Sequence, residues 1–187
     1  MAIQVAEMKS SLYSLRYMRK IVALIMGISL LSGCAAAPEA NSEYSAADIN
    51  FAEMMIPHHE QAIVMSDIAL TNSNSEEILV LAQEIKDAQS PEIELMKSWT
   101  GVGSSAHMGH MMDGMLSESQ IQQLRDSEGS TFDRLFLEGM IAHHEGAITM
   151  AQKVTESENK EVAALATAII EAQEKEIAFM KELVKFY

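Results

Sequence analysis

"MIPHHEQAI" occupies residues 55–63 and "MIAHHEGAI" residues 140–148, so an adjacent pair of histidines follows a methionine twice in one chain. The chain has six histidines, and none lies outside a cluster: His58/His59, His107/His110 and His143/His144. Eleven methionines follow residue 34, and nine of them lie in or beside those clusters: Met54, Met55, Met65, Met108, Met111, Met112, Met115, Met140 and Met150. Met96 and Met180 stand apart. Taken singly, Met55 or Met140 reads as filler for an irregular core gap, and a lone inward histidine as a hydrogen-bonded core residue. Three histidine clusters, each framed by methionine, point to metal ligation.

The donor types select the metal. Thioether sulfur is soft and neutral, imidazole is borderline, and together they favour Cu(I), with Ag(I) as a chemical mimic and Cu(II) left to the imidazoles. Structural zinc prefers thiolates or clustered imidazoles and makes no use of methionine. Di-iron bundles use Glu-x-x-His; here Glu53 and Glu138 precede the first histidine of each pair by five residues. "HMGHMMDGM" (107–115) reads as a copper-capturing segment, its glycines letting His107, Met108, His110, Met111, Met112 and Met115 fold round an ion. Its alternative is an oxidation-prone loop without function.

The elements that must position these donors are also written twice. "DINFAEMMIPHHEQAIVM" (48–65) matches "DRLFLEGMIAHHEGAITM" (133–150) at an offset of 85, and "AQEIKDAQSPEIELMK" (82–97) matches "ATAIIEAQEKEIAFMK" (166–181) at 84. Phe51, Met55, His58, Ala62, Met65 and Ala69 alternate steps of four and three, one face of a helix; Phe136, Met140, His143, Ala147, Met150 and Val154 repeat it. "TNSNSEE" and "TESENKE" break each half into two helices, with Ser73-x-x-Glu76 expected to cap the second. Ser117-x-x-Gln120 is expected to cap a short helix before Gly129. One helical hairpin cannot bury both its faces. The chain is therefore expected to be all-α, a four-helix bundle of two repeated hairpins with pseudo-two-fold symmetry.

Met55 lies one turn below His58 and Met65 two turns above it, while His59 is rotated by about 100°. Folding each hairpin about its turn places His58 opposite Ala88/Gln89 and His143 opposite Ala172/Gln173. Glu92 and Glu176 then fall near Met55 and Met140, so the repeated "AQxxEI" is expected to orient the imidazoles. Met96 and Met180 fall one turn further out, near Phe51 and Phe136. Pro57 and Pro91 lie in the first hairpin alone, which predicts a bend beside His58, absent beside His143, and two non-equivalent sites.

The remaining composition sets the context. The chain of 187 residues carries a formal charge of −14, which argues against a nucleic-acid partner because phosphate would be repelled. "MRKIVALIMGISLLSGCAAA", starting at Met18 (a candidate true start), joins two basic residues to an apolar run too short to span a bilayer, and ends in Leu-Ser-Gly-Cys. This pattern resembles a bacterial lipobox, with Cys34 the lipidated residue and a membrane anchor; the alternative is an ordinary export signal with a chance cysteine. Cys34 is the only cysteine, so neither an internal disulfide nor a thiolate cage is available. Residues 1–34 are read as leader, 35–47 as tether, and 48–187 as the metal-binding domain with a Met/His-rich linker at 100–116.

The two Met-Ile-x-His-His motifs, each followed by an "AQ…EI..M" helix, resemble the family known as domain of unknown function 305. That family includes CopM-type periplasmic copper-binding proteins. The resemblance covers about 48–183 and implies a ferritin-like four-helix bundle and an extracytoplasmic role in copper resistance or homeostasis. It points to Met55, His58 and His59 and to Met140, His143 and His144 as ligands, with Gly139 standing where the first repeat has Met54. The function expected is a lipid-anchored, non-catalytic copper-binding protein that buffers Cu(I) or hands it to a transfer partner. A cuprous or ferritin-like oxidase and a structural interaction module are the alternatives.

Overall fold

Ser45 starts the first helix by a reciprocal exchange: its hydroxyl accepts from the Asp48 amide at 3.2 Å, and the Asp48 carboxylate accepts from the Ser45 amide at 2.8 Å. In the computed structural model, which describes residues 43–103 and 112–187, this helix is α1 (Ala46–Asn72). It is followed by α2 (Glu76–Ser98), the short α3 (Glu118–Asp126), α4 (Gly129–Ala151) and α5 (Lys160–Leu183), with single 3-10 turns at Gln152–Val154 and Val184–Phe186. No strand occurs among the described residues, and the chain is all-helical there. No described helix is long and apolar enough to cross a membrane.

The duplicated sequence folds as two helical hairpins. α1 packs along α2, α4 packs along α5, and the hairpins meet mainly through α1 and α4, the two His-His helices. Their joint core includes Phe51, Met55, Ile93, Met96 and Trp99 from the first hairpin and Met150, Val154, Val162 and Ile169 from the second. Trp99 closes one end: its indole N–H donates to the Glu161 carboxylate at 2.7 Å, and Tyr44 stacks on it at 5.1 Å. At the other end Phe132 and Phe136 stack at 5.9 Å, and the Tyr187 hydroxyl meets that of Ser75 at 2.7 Å.

One local expectation needs correcting. Ser75, not Ser73, caps α2, its hydroxyl accepting from the Ile78 amide. Ser73 instead ends α1, its amide donating to the Ala69 carbonyl, and its hydroxyl donates across the hairpins to the buried Asp133 carboxylate. The competing charge partner explains why this serine is drawn away from α2. α1 runs as one continuous helix through Pro57, and α2 through Pro91. The Ser117–Gln120 box forms as read and starts α3. The Asn72 amide, donating to the carbonyls of Leu124, Arg125 and Ser127, ties the far end of α3 to the end of α1.

Glu84 on α2 is half-buried, and its Oε2 is enclosed without a partner. Burial, reinforced by the Glu176 and Asp87 carboxylates, pushes its carboxyl up to about 7 from 4.5. The fold therefore binds this proton more tightly than the unfolded chain does. The group favours the fold most below pH 4.5, and that advantage is lost as pH rises through about 7. Glu84→Gln should melt at a higher temperature than the parent at pH 8, and the difference should shrink towards pH 4.5. Thermal melts followed by circular dichroism check this; an equal gain at both pH values would contradict the assigned cause.

Candidate metal centre

Helical spacing carries the paired histidines of each motif in two directions. His58 on α1 and His143 on α4 point into the seam, where their ring centroids lie 3.8 Å apart at an interplanar angle of 41°. His59 and His144 turn back towards the second helix of their own hairpin. His59 Nε2 lies 2.8 Å from a Glu92 carboxylate oxygen, and His144 Nε2 lies 2.6 Å from one of Glu176. The rings of His143 and His144 are 6.4 Å apart. All four histidines are fully buried.

The hydrogen bonds select which nitrogen is left. A carbonyl can only accept, so His58 Nε2, 3.3 Å from the Asp113 carbonyl, carries the proton. The same assignment follows for His59 and His144 donating to carboxylates, an arrangement that fixes ring orientation and raises ligand basicity. On His58, a lone pair then remains on Nδ1. Among the described residues, the Nδ1 atoms of His58, His59 and His144 and both nitrogens of His143 are buried without a hydrogen-bond partner. Burial, and next the neighbouring His59, holds the His58 ring down to about 3. Burial and then His58 push His143 well below its ordinary value. Both rings are neutral at physiological pH, as a ligating imidazole must be.

Imidazole nitrogen and thioether sulfur are the donor types these helices carry into the interior. Among the described residues no three His, Cys, Asp or Glu side chains group closely enough to hold a metal by themselves. Met55, Met140, Met65, Met96 and Met180 are fully buried and Met150 nearly so. Met55 and Met140 lie one turn before the histidine pairs on the same helices. Met54 is half-buried, and its sulfur accepts from the exposed Asn50 amide at 3.4 Å. Met112 and Met115 are half-buried after the linker, with Met112 packed on the core. His107, Met108, His110, Met111 and Cys34 lie outside the described residues.

The expected levels of the helices hold to within a turn: Glu92 and Glu176 meet the histidines directly. Gln89 and Gln173, the other polar residues of the repeated segment, are also buried. Neither amide atom of Gln89 has a partner, and neither does the carbonyl oxygen of Gln173. Sequence reasoning missed the contact of Asp113 with His58, because a main-chain carbonyl leaves no mark in residue type. The available signal was Gly146, a glycine inside a helix where the first repeat has Gln61.

The DUF305 domain, a domain of unknown function, matches residues 48–184. No curated protein is a significant match. Among solved structures, a DUF305 protein from Streptomyces coelicolor is 29% identical with a TM-score of 0.70, over 76% of this chain and 93% of that one. A DUF305 fragment from Deinococcus radiodurans is 27% identical with a TM-score of 0.68, over 76% of this chain and 98% of that one. CopM in its Cu(I)-bound form is 32% identical with a TM-score of 0.62, over 74% of this chain and 95% of that one. CopM in Cu(II)-bound, Ag-bound and apo forms is similar to the same extent. With its motif-bearing repeats inside the matched span, the chain belongs to the DUF305 family.

Proposed function

We propose that this protein binds copper outside the cytoplasm, chiefly as Cu(I), and buffers it or passes it on without catalysing a reaction. The observation that carries this reading is the set of five buried, unpartnered imidazole nitrogens on helices that also bury Met55 and Met140. An unpartnered polar atom in a protein interior costs free energy, and a bound ion would offset that cost at these nitrogens. The Cu(I), Cu(II) and Ag forms of CopM, a protein of similar sequence and structure, support the choice of metal. A ferritin-like four-helix bundle is the architecture proposed, and the leader ending in Cys34 supports a lipid anchor in the membrane. Glu92 and Glu176 act in this reading as the groups that hold His59 and His144 in register.

Anaerobic Cu(I) titration against a competing chelator, with Zn(II) in parallel, tests the reading directly. Cu(I) should be retained and Zn(II) should not; the opposite order would end it. His58→Ala with His143→Ala should remove the copper bound within the helices. Met55→Leu with Met140→Leu separates ligand from filler, because a volume-conserving swap should cost the fold less than ~1.5 kcal/mol per site. Affinity should nevertheless drop by at least ~10-fold, about 1.4 kcal/mol. Unchanged affinity would return both methionines to the core. Glu92→Gln with Glu176→Gln should weaken binding by roughly 10- to 100-fold, the usual effect of removing the partner of a ligating histidine. Parental affinity in that pair would show that the carboxylates do not brace the ligands.

A further inference from the structure

The segment from Met112 to Leu116 crosses the seam between α1 and α4 directly at the facing histidines. Asp113 is exposed, His58 and His143 are fully buried, and the Asp113 carbonyl reaches inward to His58 Nε2 at 3.3 Å. The segment is seated at two points. On α1, the Gln61 side chain grips the Leu116 backbone with both ends, its amide donating to the carbonyl at 2.9 Å and its oxygen accepting from the amide at 2.7 Å. On α4, Gly146 makes room, since a Cβ there would overlap the Asp113 carbonyl and crowd the Gly114 Cα. Gly114, at φ +83°, lies so close to α4 that its own Cβ would overlap the Ala142 carbonyl.

Gln61 and Gly146 occupy the same place in the two repeats, three residues after His58 and His143 respectively. One copy supplies a bidentate grip and the other an absent side chain. Glycine weakens a helix interior, and close passage of this backbone accounts for its presence at 146. The motifs are thus alike in what faces the metal and unlike in what holds the crossing segment.

We propose that residues 112–116 form a strap closing the His58/His143 pair, and that Gln61 and Gly146 position it and thereby set the rate at which the ion enters and leaves. This rests on the copper reading above. In the closed position the Asp113 carbonyl holds the His58 ring by its Nε2 proton, and the strap separates both rings from solvent. Among the described residues its hydrogen bonds to α1 are the Gln61 pair and the His58 contact, so opening requires breaking these and lifting Met112 and Leu116 from their packing, with the helices left folded. Since it carries Met112 and Met115, opening also moves two thioethers relative to the imidazoles.

The test uses the full chain with Gln61→Ala and, separately, Gly146→Ala. Hydrogen exchange of the Leu116 amide reads the strap, and stopped-flow transfer of Cu(I) to and from a chelator reads metal exchange. Both variants should lose Leu116 protection, and both uptake and release should become about tenfold faster, as expected when a pair of hydrogen bonds is lost from the closed state. Parental exchange rates despite an unprotected Leu116 amide would overturn the strap as the controlling element. Retained protection in Gln61→Ala would overturn the role of its grip. If Gly146→Ala fails to fold, Gln61→Ala, which introduces no overlap, decides alone. Failure of the unaltered protein to bind Cu(I) would overturn the copper reading and the strap together, an outcome distinct from binding with unaltered rates.

Discussion

An imidazole removed from water must have its nitrogens bonded, or the fold bears the cost of desolvating them. This protein removes four from water at one level of its interior. Three have one nitrogen satisfied and the fourth has neither, so the seam between α1 and α4 retains imidazole nitrogens that no donor among the described residues meets. The same burial keeps His58 and His143 uncharged, through desolvation first and then repulsion by His59 for the former and by His58 for the latter. The packing that hides these rings is therefore also what would prepare them as ligands in the copper-binding role proposed.

Duplication explains how so short a motif builds this arrangement. A single hairpin would leave its His58-type ring on an open face. Two related hairpins meeting through their first helices bring those rings into contact, while the second ring of each pair is turned about 100° away and braced from inside its own hairpin. The braces, Glu92 and Glu176, are equally duplicated and only slightly exposed, with 17% and 12% of their side chains accessible. The repeats then diverge at Gln61 and Gly146, where one crossing segment must rest on both helices. Symmetry serves the proposed ligation, and its local breaking serves the proposed closure.

Periodicity and repetition made much of this legible in advance. The steps of four and three from Phe51 to Ala69 reported α1, the break at 71–77 reported the hairpin turn, and the Ser117–Gln120 spacing reported the α3 cap. Counting about the turn brought Glu92 and Glu176 close enough to the histidines to name them as braces. What stayed hidden depended on contacts between distant segments. Ser73 and Ser75 both suit a helix start, and only the Asp133 carboxylate on the other hairpin decides between them. The facing of His58 and His143 needed the angle between hairpins, and the crossing of Asp113 needed a main-chain position. The two halves differ in the Asp113 carbonyl, which His58 meets and His143 does not, a contact that residue type could not announce.

X-ray absorption at the copper edge of the Cu(I)-loaded protein addresses the central claim most directly, because it identifies the atoms bound to the metal without assuming which residues supply them. The account predicts nitrogen and sulfur together around each ion held between the helices. A copper environment of oxygen donors alone, with neither imidazole nor thioether present, would contradict it.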